Sequence, residues 1–201
     1  MTAERTEAVI EFLRMADRLK HVERRGKTVG PDGTDRHENS AEHGWNVALV
    51  ALLLQGEVAD KPDLGHVLAM IAVHDLVEIE AGDTFAYDEA HLLTQAERER
   101  AAADVVFGKL PPDLGGKLRA LWEEFEAGET KEARFAMACD RAQGFLQGVI
   151  GTGHWKSEGV REDQTHKRMM PARQVAPVFE TLIATLYDKA RSGGMFAEPA
   201  P

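Results

Sequence analysis

The chain has 201 residues, 43% of them hydrophobic, and its 24 Lys and Arg against 34 Asp and Glu give a formal net charge of −10. That length supports a substantial core in a single domain. The acidic surface repels nucleic acid polymers and anionic membranes, and it obliges any phosphate site to bring its own local positive charge. The one cysteine, Cys139, rules out an intramolecular disulfide.

Residues 1–193 are expected to form one domain and residues 194–201, GGMFAEPAP from Gly193 onward, a flexible tail. The opening stretch is charged and lacks the apolar core of a signal peptide. No apolar run reaches the length of a membrane span, so a cytoplasmic protein without membrane contact is expected. Thr6 to Lys20 reads as an amphipathic helix with Ile10, Leu13 and Ala16 on one face. GKTVGPDGTDRHEN reads as a polar loop, turned at Gly30, Pro31, Asp32 and Gly33. Asn39 or Ser40 then caps an apolar helix that carries His43. Lys61, Pro62 and Asp63 precede a second apolar helix, on which Val67, Ile71, His74 and Glu78 fall on one face, and Gly82 and Asp83 end it. A charged helix follows over EAHLLTQAERERAAADVVFGKL, another starts at Pro111 and Pro112, and Gly128 stops it. Thr130 caps the helix that carries Asp140. Gly151 to Gly159 reads as a turn-rich loop holding His154 and Trp155, and VAPVFETLIATLYDKARS as a final amphipathic helix. No alternating run predicts a sheet, so the expected class is all-α, a helical bundle.

The adjacent pair His74 and Asp75 closes an apolar run, LGHVLAMIAVHDLVE. A charged carboxylate in apolar surroundings needs a partner. A divalent cation is one, and imidazole with carboxylate suits a first-row ion. His43 and Asp140 interrupt two further apolar helices, which makes a set of two histidines and two carboxylates that three converging helices can assemble. Glu78 stands one turn beyond His74 on the same face, within reach of a water beside such an ion, and is a candidate general acid or base. Arg24, Arg25 and Arg36 are candidate phosphate grips, because guanidinium binds phosphate bidentately. Glu38 and Glu42 read as solvated or capping residues. His154 and Trp155 read either as base-stacking residues or as packing anchors. His21, His37, His66, His91 and His166 show no ligand spacing, which speaks against a two-metal site.

RHENSAEHGWNVALVALLL, VLAMIAVHDLVEIEAGD and ETKEARFAMACDRAQGFLQ resemble the HD-domain metal-dependent phosphohydrolases, in the branch typified by bacterial 5′-deoxynucleotidase, over roughly residues 10 to 150. The resemblance implies an all-helical fold, one divalent ion (Mn, Co, Ni, Zn, Fe or Mg), hydrolysis of nucleoside 5′-monophosphates and a homodimer. It implies His43, His74, Asp75 and Asp140 as metal ligands. It places Glu78 and Asp83 near the attacking water and the leaving sugar oxygen, and Arg24 on the phosphate. In that branch a tryptophan that crowds the sugar 2′ position follows the phosphate-binding arginine. Here Arg25 stands there, which implies weaker discrimination against ribose. The alternatives are hydrolysis of a nucleotide di- or triphosphate or another phosphate ester, and a non-catalytic nucleotide-binding module; the latter has no need of a water-activating acid such as Glu78.

Overall fold

The structure, a computed structural model, describes residues 2–150 and 154–198. Helix α1 (Ala3–Ala16) runs through one 3₁₀ turn into strand β1 (Glu23–Val29), which pairs antiparallel with β2 (Asp35–Asn39). Helices α2 (Ser40–Leu54), α3 (Leu64–Val73), the single turn α4 (Glu78–Ala81), α5 (Glu89–Phe107), α6 (Pro112–Ala127), α7 (Lys131–Ile150), the single turn α8 (His154–Ser157), α9 (Glu162–Arg173) and α10 (Pro177–Ser192) complete the described residues. The class is all-α, with one small sheet. Among the described residues no helix is long and apolar enough to cross a membrane.

The expected polar loop over residues 27–39 is instead this hairpin. Its five-residue connection closes through Gly30 N–H to Thr34 O at 2.7 Å, with Gly33 at φ +80°. Neither strand alternates apolar and polar residues, because the ribbon is anchored by single polar contacts rather than by an apolar face. Gln147 Nε2 of α7, for example, donates to Lys27 O at 2.6 Å. The ladder is irregular between Glu23 and Lys27, and Arg24 and Arg25 sit inside that irregularity.

Helix α7 is the hub and packs against α2, α3, α6, α9, α10 and β1. Small residues on it, Ala133, Ala136, Cys139 and Ala142, are fully buried and let its neighbours approach closely. At Gly148 the approach is extreme: a Cβ there would lie 2.1 Å from Trp155 Cζ2. Its start is capped by Thr130 Oγ1, which accepts from Ala133 N–H at 3.1 Å, after Gly128 has turned the chain at φ +61°.

The apolar face of α10 is spent inside the chain: Phe179, Ile183, Leu186 and Tyr187 are buried against α7 and α9. Residues 194–198, expected to be a flexible tail, fold back. Phe196 stacks on Trp155 at 5.5 Å and 3°, and Ala197 N–H donates to Val160 O at 2.9 Å. An aromatic ring two residues past a helix-ending glycine finds an aromatic surface and docks. The last three residues of the expected tail lie outside the described residues.

Candidate metal centre

Three helices deliver the cluster, and local backbone chemistry aims it. Asn39 caps α2 in a reciprocal capping box with Glu42, which fixes the helix start and so the direction of His43 one turn in. Beyond α3 the backbone switches to i→i+3 hydrogen bonds, Leu76 to Val73, Glu78 to Asp75 and Ile79 to Leu76. With three residues per turn, positions i and i+3 eclipse, so Asp75 and Glu78 come onto one side. The single continuous helix expected over this segment is thus broken where the chemistry sits.

His43, His74 and Asp75 each offer a ligand atom, and these atoms lie within 4.8 Å of one another. Asp140 adjoins the cluster, its Oδ1 2.8 Å from His43 Nε2. Both ring orientations are fixed from behind. His43 Nδ1 lies 2.5 Å from Gln143 Oε1, and His74 Nδ1 2.7 Å from Ile71 O. With each Nδ1–H donating there, both Nε2 lone pairs face inward, the arrangement metal-ligating histidines adopt. Burial, helped by the charge of Arg24, lowers the His43 pKa to about 4, so the ring is neutral.

These residues fit a divalent cation. His74 Nε2 and Asp75 Oδ2 are buried side-chain atoms with no hydrogen-bond partner among the described residues. His43 Nε2 turns its lone pair on a carboxylate oxygen 2.8 Å away. Such contacts cost free energy that a bound cation would recover. Burial and the negative charges nearby push the carboxyls of Asp75 and Glu78 well above their ordinary range, and that of Asp83 upward as well. The pocket therefore holds more negative charge than its own cations balance.

Arg24 is set among these carboxylates. Its Nη1 lies 3.6 Å from Asp75 Oδ2 and 3.4 Å from Asp83 Oδ1, and its Nε 3.8 Å from Glu38 Oε2. Burial alone would disfavour its charge, but Asp75, Asp83, Glu78 and Asp140 outweigh that and hold the guanidinium above its usual range. Glu78 is buried, and its Oε2 accepts from Ser40 Oγ at 2.6 Å. His43, His74, Asp75, Asp140, Glu78, Asp83 and Arg24 are thus brought together.

Arg25 and Arg36 are not held there. Arg25 lines the pocket but is 57% exposed, 3.6 Å from Glu158. Arg36 points away from the pocket and is held bidentately by Glu42 at 2.7 and 2.8 Å; strand geometry puts it on the outer face of the hairpin. Glu42 is the capping residue expected. Glu38, expected to be solvated or capping, is 2% exposed. It accepts from Gln143 Nε2 at 3.1 Å and Asn46 Nδ2 at 3.3 Å, completing a relay from Glu38 through Gln143 to His43. Gln143 was legible as one turn beyond Asp140 on α7; Glu38 sits in a short strand with no periodicity to mark it. Trp155 is a packing anchor, 2% exposed and stacked on Phe145 at 4.8 Å. The side chain of His154 lies outside the described residues.

Comparison with known proteins agrees with this geometry. The family model described as HD domain matches residues 16–179. The 5′-deoxynucleotidase HDDC2 of Homo sapiens is 29% identical over 140 residues, covering 70% of this chain and 66% of that protein. The protein of the same name from Bos taurus is 30% identical over 139 residues, covering 69% and 65%. The match thus spans slightly under two thirds of these relatives' length. A crystal structure of a predicted metal-dependent phosphohydrolase from Magnetospirillum magnetotacticum is 38% identical, covers 96% of both chains and superposes with a TM-score of 0.87.

Proposed function

This chain belongs to the HD-domain family, and on that premise we propose that it is a metal-dependent phosphohydrolase releasing phosphate from nucleoside 5′-monophosphates. The observation that carries the reading is the pair of buried atoms, His74 Nε2 and Asp75 Oδ2, that have no hydrogen-bond partner among the described residues, beside the inward-facing Nε2 of His43. His43, His74 and Asp75 would hold one divalent ion, with Asp140 as the fourth ligand. Such an ion would polarise a phosphoryl oxygen and ease deprotonation of water.

The chain's own residues account for the rest. Arg24 binds the phosphate: its contacts to Asp75, Asp83 and Glu38 are all 3.4 Å or longer, so a phosphate oxygen can compete for its N–H groups. Asp83 anchors Arg24 at Nη1, as Glu38 of β2 does at Nε, and lines the same pocket. Burial and Asp75 favour the protonated form of Glu78, which would give its proton to the departing O5′ as the water oxygen joins phosphorus and the P–O5′ bond breaks, while Ser40 Oγ fixes its other oxygen. Arg25 leans toward Glu158 and leaves room at the sugar, so ribo- and deoxyribonucleotides are both accepted.

The chain also assembles as a homodimer in this reading. The supporting surface is on α2, where Trp45, Leu49, Leu52 and Leu53 form an exposed apolar stripe at helical spacing, and the occupant is a second copy of the chain. A dimer mass in light scattering is the expected result, and a monomer mass across a wide concentration range overturns it.

The test of the activity is phosphate release from matched ribo- and deoxyribonucleoside 5′-monophosphates with Mn, Co, Ni, Zn, Fe or Mg, alongside elemental analysis. Release with at least one ion, with the two sugars within about ten-fold in kcat/KM, is expected, since a missing steric wall at a hydroxyl changes discrimination only modestly. No release with any of these ions removes the reading.

A further inference from the structure

Two further arginines line the pocket that carries the metal cluster, and the reading above gives neither of them a role. Arg141 follows Asp140 on α7 and Arg168 lies on α9, and both line the same pocket as His74, Asp75 and Arg24. Among the described residues Arg168 has one ion pair, a distant one of 4.0 Å from Nη2 to Asp140 Oδ2. Arg141 has neither an ion pair nor a side-chain hydrogen bond among them. The pocket carboxylates Glu99 and Glu126 come within ion-pair distance of neither. Elsewhere Arg5, Arg36, Arg119, Arg161, Arg173 and Arg191 each hold a carboxylate oxygen at 2.5–2.9 Å, and Arg98, Arg100 and Arg134 each donate to neutral oxygens.

In a chain of net charge −10, one part-buried guanidinium without a carboxylate partner among the described residues stands beside another whose ion pair is stretched to 4.0 Å. Arginine keeps its charge even when partly buried, so the pair suits an anionic ligand. Once Asp140 is committed to a metal ion, Arg168 loses its only ion-pair partner as well. Paired guanidinium forks suit phosphate oxygens, and the pocket already takes one phosphate at Arg24.

We propose that Arg141 and Arg168 bind a second phosphoryl group of the substrate, so that the preferred substrates are nucleotides carrying one phosphate beyond the 5′-phosphate itself. This rests on the hydrolase reading above and moves the preferred substrate from the monophosphate to a nucleotide with two phosphates. The second phosphate is either contiguous, as in a nucleoside 5′-diphosphate, or across the sugar, as in a 3′,5′-bisphosphate. The bond that breaks is still P–O5′: the water oxygen joins the 5′ phosphorus, and O5′ leaves and takes up a proton. From the bisphosphate the products are inorganic phosphate and the nucleoside 3′-phosphate; from the diphosphate they are pyrophosphate and the nucleoside.

The test is equilibrium binding of adenosine 5′-monophosphate, adenosine 5′-diphosphate and adenosine 3′,5′-bisphosphate to the full chain loaded with Mn, in a Glu78→Gln background that holds turnover down. At least one two-phosphate ligand should bind about ten-fold or more tighter than the monophosphate, the scale of one added charge-assisted contact. The ligand that gains identifies where the second phosphate lies. The Arg141→Ala/Arg168→Ala double variant should erase that gain and leave the monophosphate within about two-fold, as expected of contacts it does not make. Equal binding of all three ligands by the protein with both arginines intact overturns the proposal without reliance on any variant. An equal loss for monophosphate and two-phosphate ligands in the double variant also overturns it, because it places the pair on the cleaved phosphate. If binding shows the gain but no nucleotide releases phosphate from the wild-type protein, the hydrolase reading fails and the second site stands; hydrolysis without the gain gives the converse.

Discussion

Helix α7 serves two regions of opposite character. On one side it faces the metal cluster, where His74 Nε2 and Asp75 Oδ2 lack hydrogen-bond partners among the described residues and burial drives up three carboxyl pKa values. Farther along, its Phe145 meets an aromatic cluster that adjoins the same pocket: Phe145 packs on Trp155 and Tyr187, Tyr187 stacks on His166 at 4.2 Å, and its hydroxyl donates to Thr165 Oγ1 at 3.0 Å. The aromatic cluster is satisfied by the chain itself, whereas the metal cluster is complete only with something added. The difference teaches that the same helix can carry stability and function separately, and that unsatisfied polar atoms mark which is which.

That separation can be broken in order of expected effect. His74→Ala and Asp75→Ala should lose the ion and bring phosphate release to background, as elemental analysis and rate assays will read; retention of stoichiometric metal by both variants would show that the cluster is not the site. Metal addition should in turn stabilise the wild-type fold, by about 2.7 kcal/mol at a hundred times the dissociation constant, and leave the thermal midpoint of these two variants unmoved.

Glu78→Gln should keep the metal and slow turnover by about 10²–10⁴-fold, the usual cost of removing a general acid or base; near-normal turnover would take that role from it. Tyr187→Ala tests the other region. It should cost about 3–5 kcal/mol of stability in denaturant unfolding, while metal affinity at low temperature stays unchanged. A large drop in affinity there would mean that the two regions along α7 are coupled rather than separate.

Glu38→Gln sharpens the comparison, because Glu38 lies 3.8 Å from Arg24 and, through Gln143, holds His43. Metal affinity should fall about 10–100-fold, as for other residues that orient metal ligands from behind. Arg36→Ala should do least: its pair with Glu42 is exposed, so the change is about 0–1 kcal/mol in stability, with unaltered kinetics.

Much of the site was legible in the sequence. His43, Asp140 and the His74–Asp75 pair break apolar helical runs, and a polar residue inside such a run must be satisfied by something. The caps at Asn39 and Thr130 were legible for a local reason, since side chain and backbone partner lie three residues apart. The helix over residues 162–173 was not, because its sequence, EDQTHKRMMPAR, has almost no apolar periodicity and holds Pro171.

By itself the sequence determined the helical class, the ligand types and the order in which they come, because hydrophobic periodicity and capping are local properties. Only the tertiary structure decided what faces what. It turned a polar stretch into a hairpin held by Gln147, set Arg24 into the pocket and Arg36 out of it, buried Glu38 behind His43, brought Arg141 and Arg168 to one wall and docked Phe196 on Trp155. Each of these is a contact between residues distant along the chain, and its free energy depends on burial and on neighbouring charge, which no local pattern encodes.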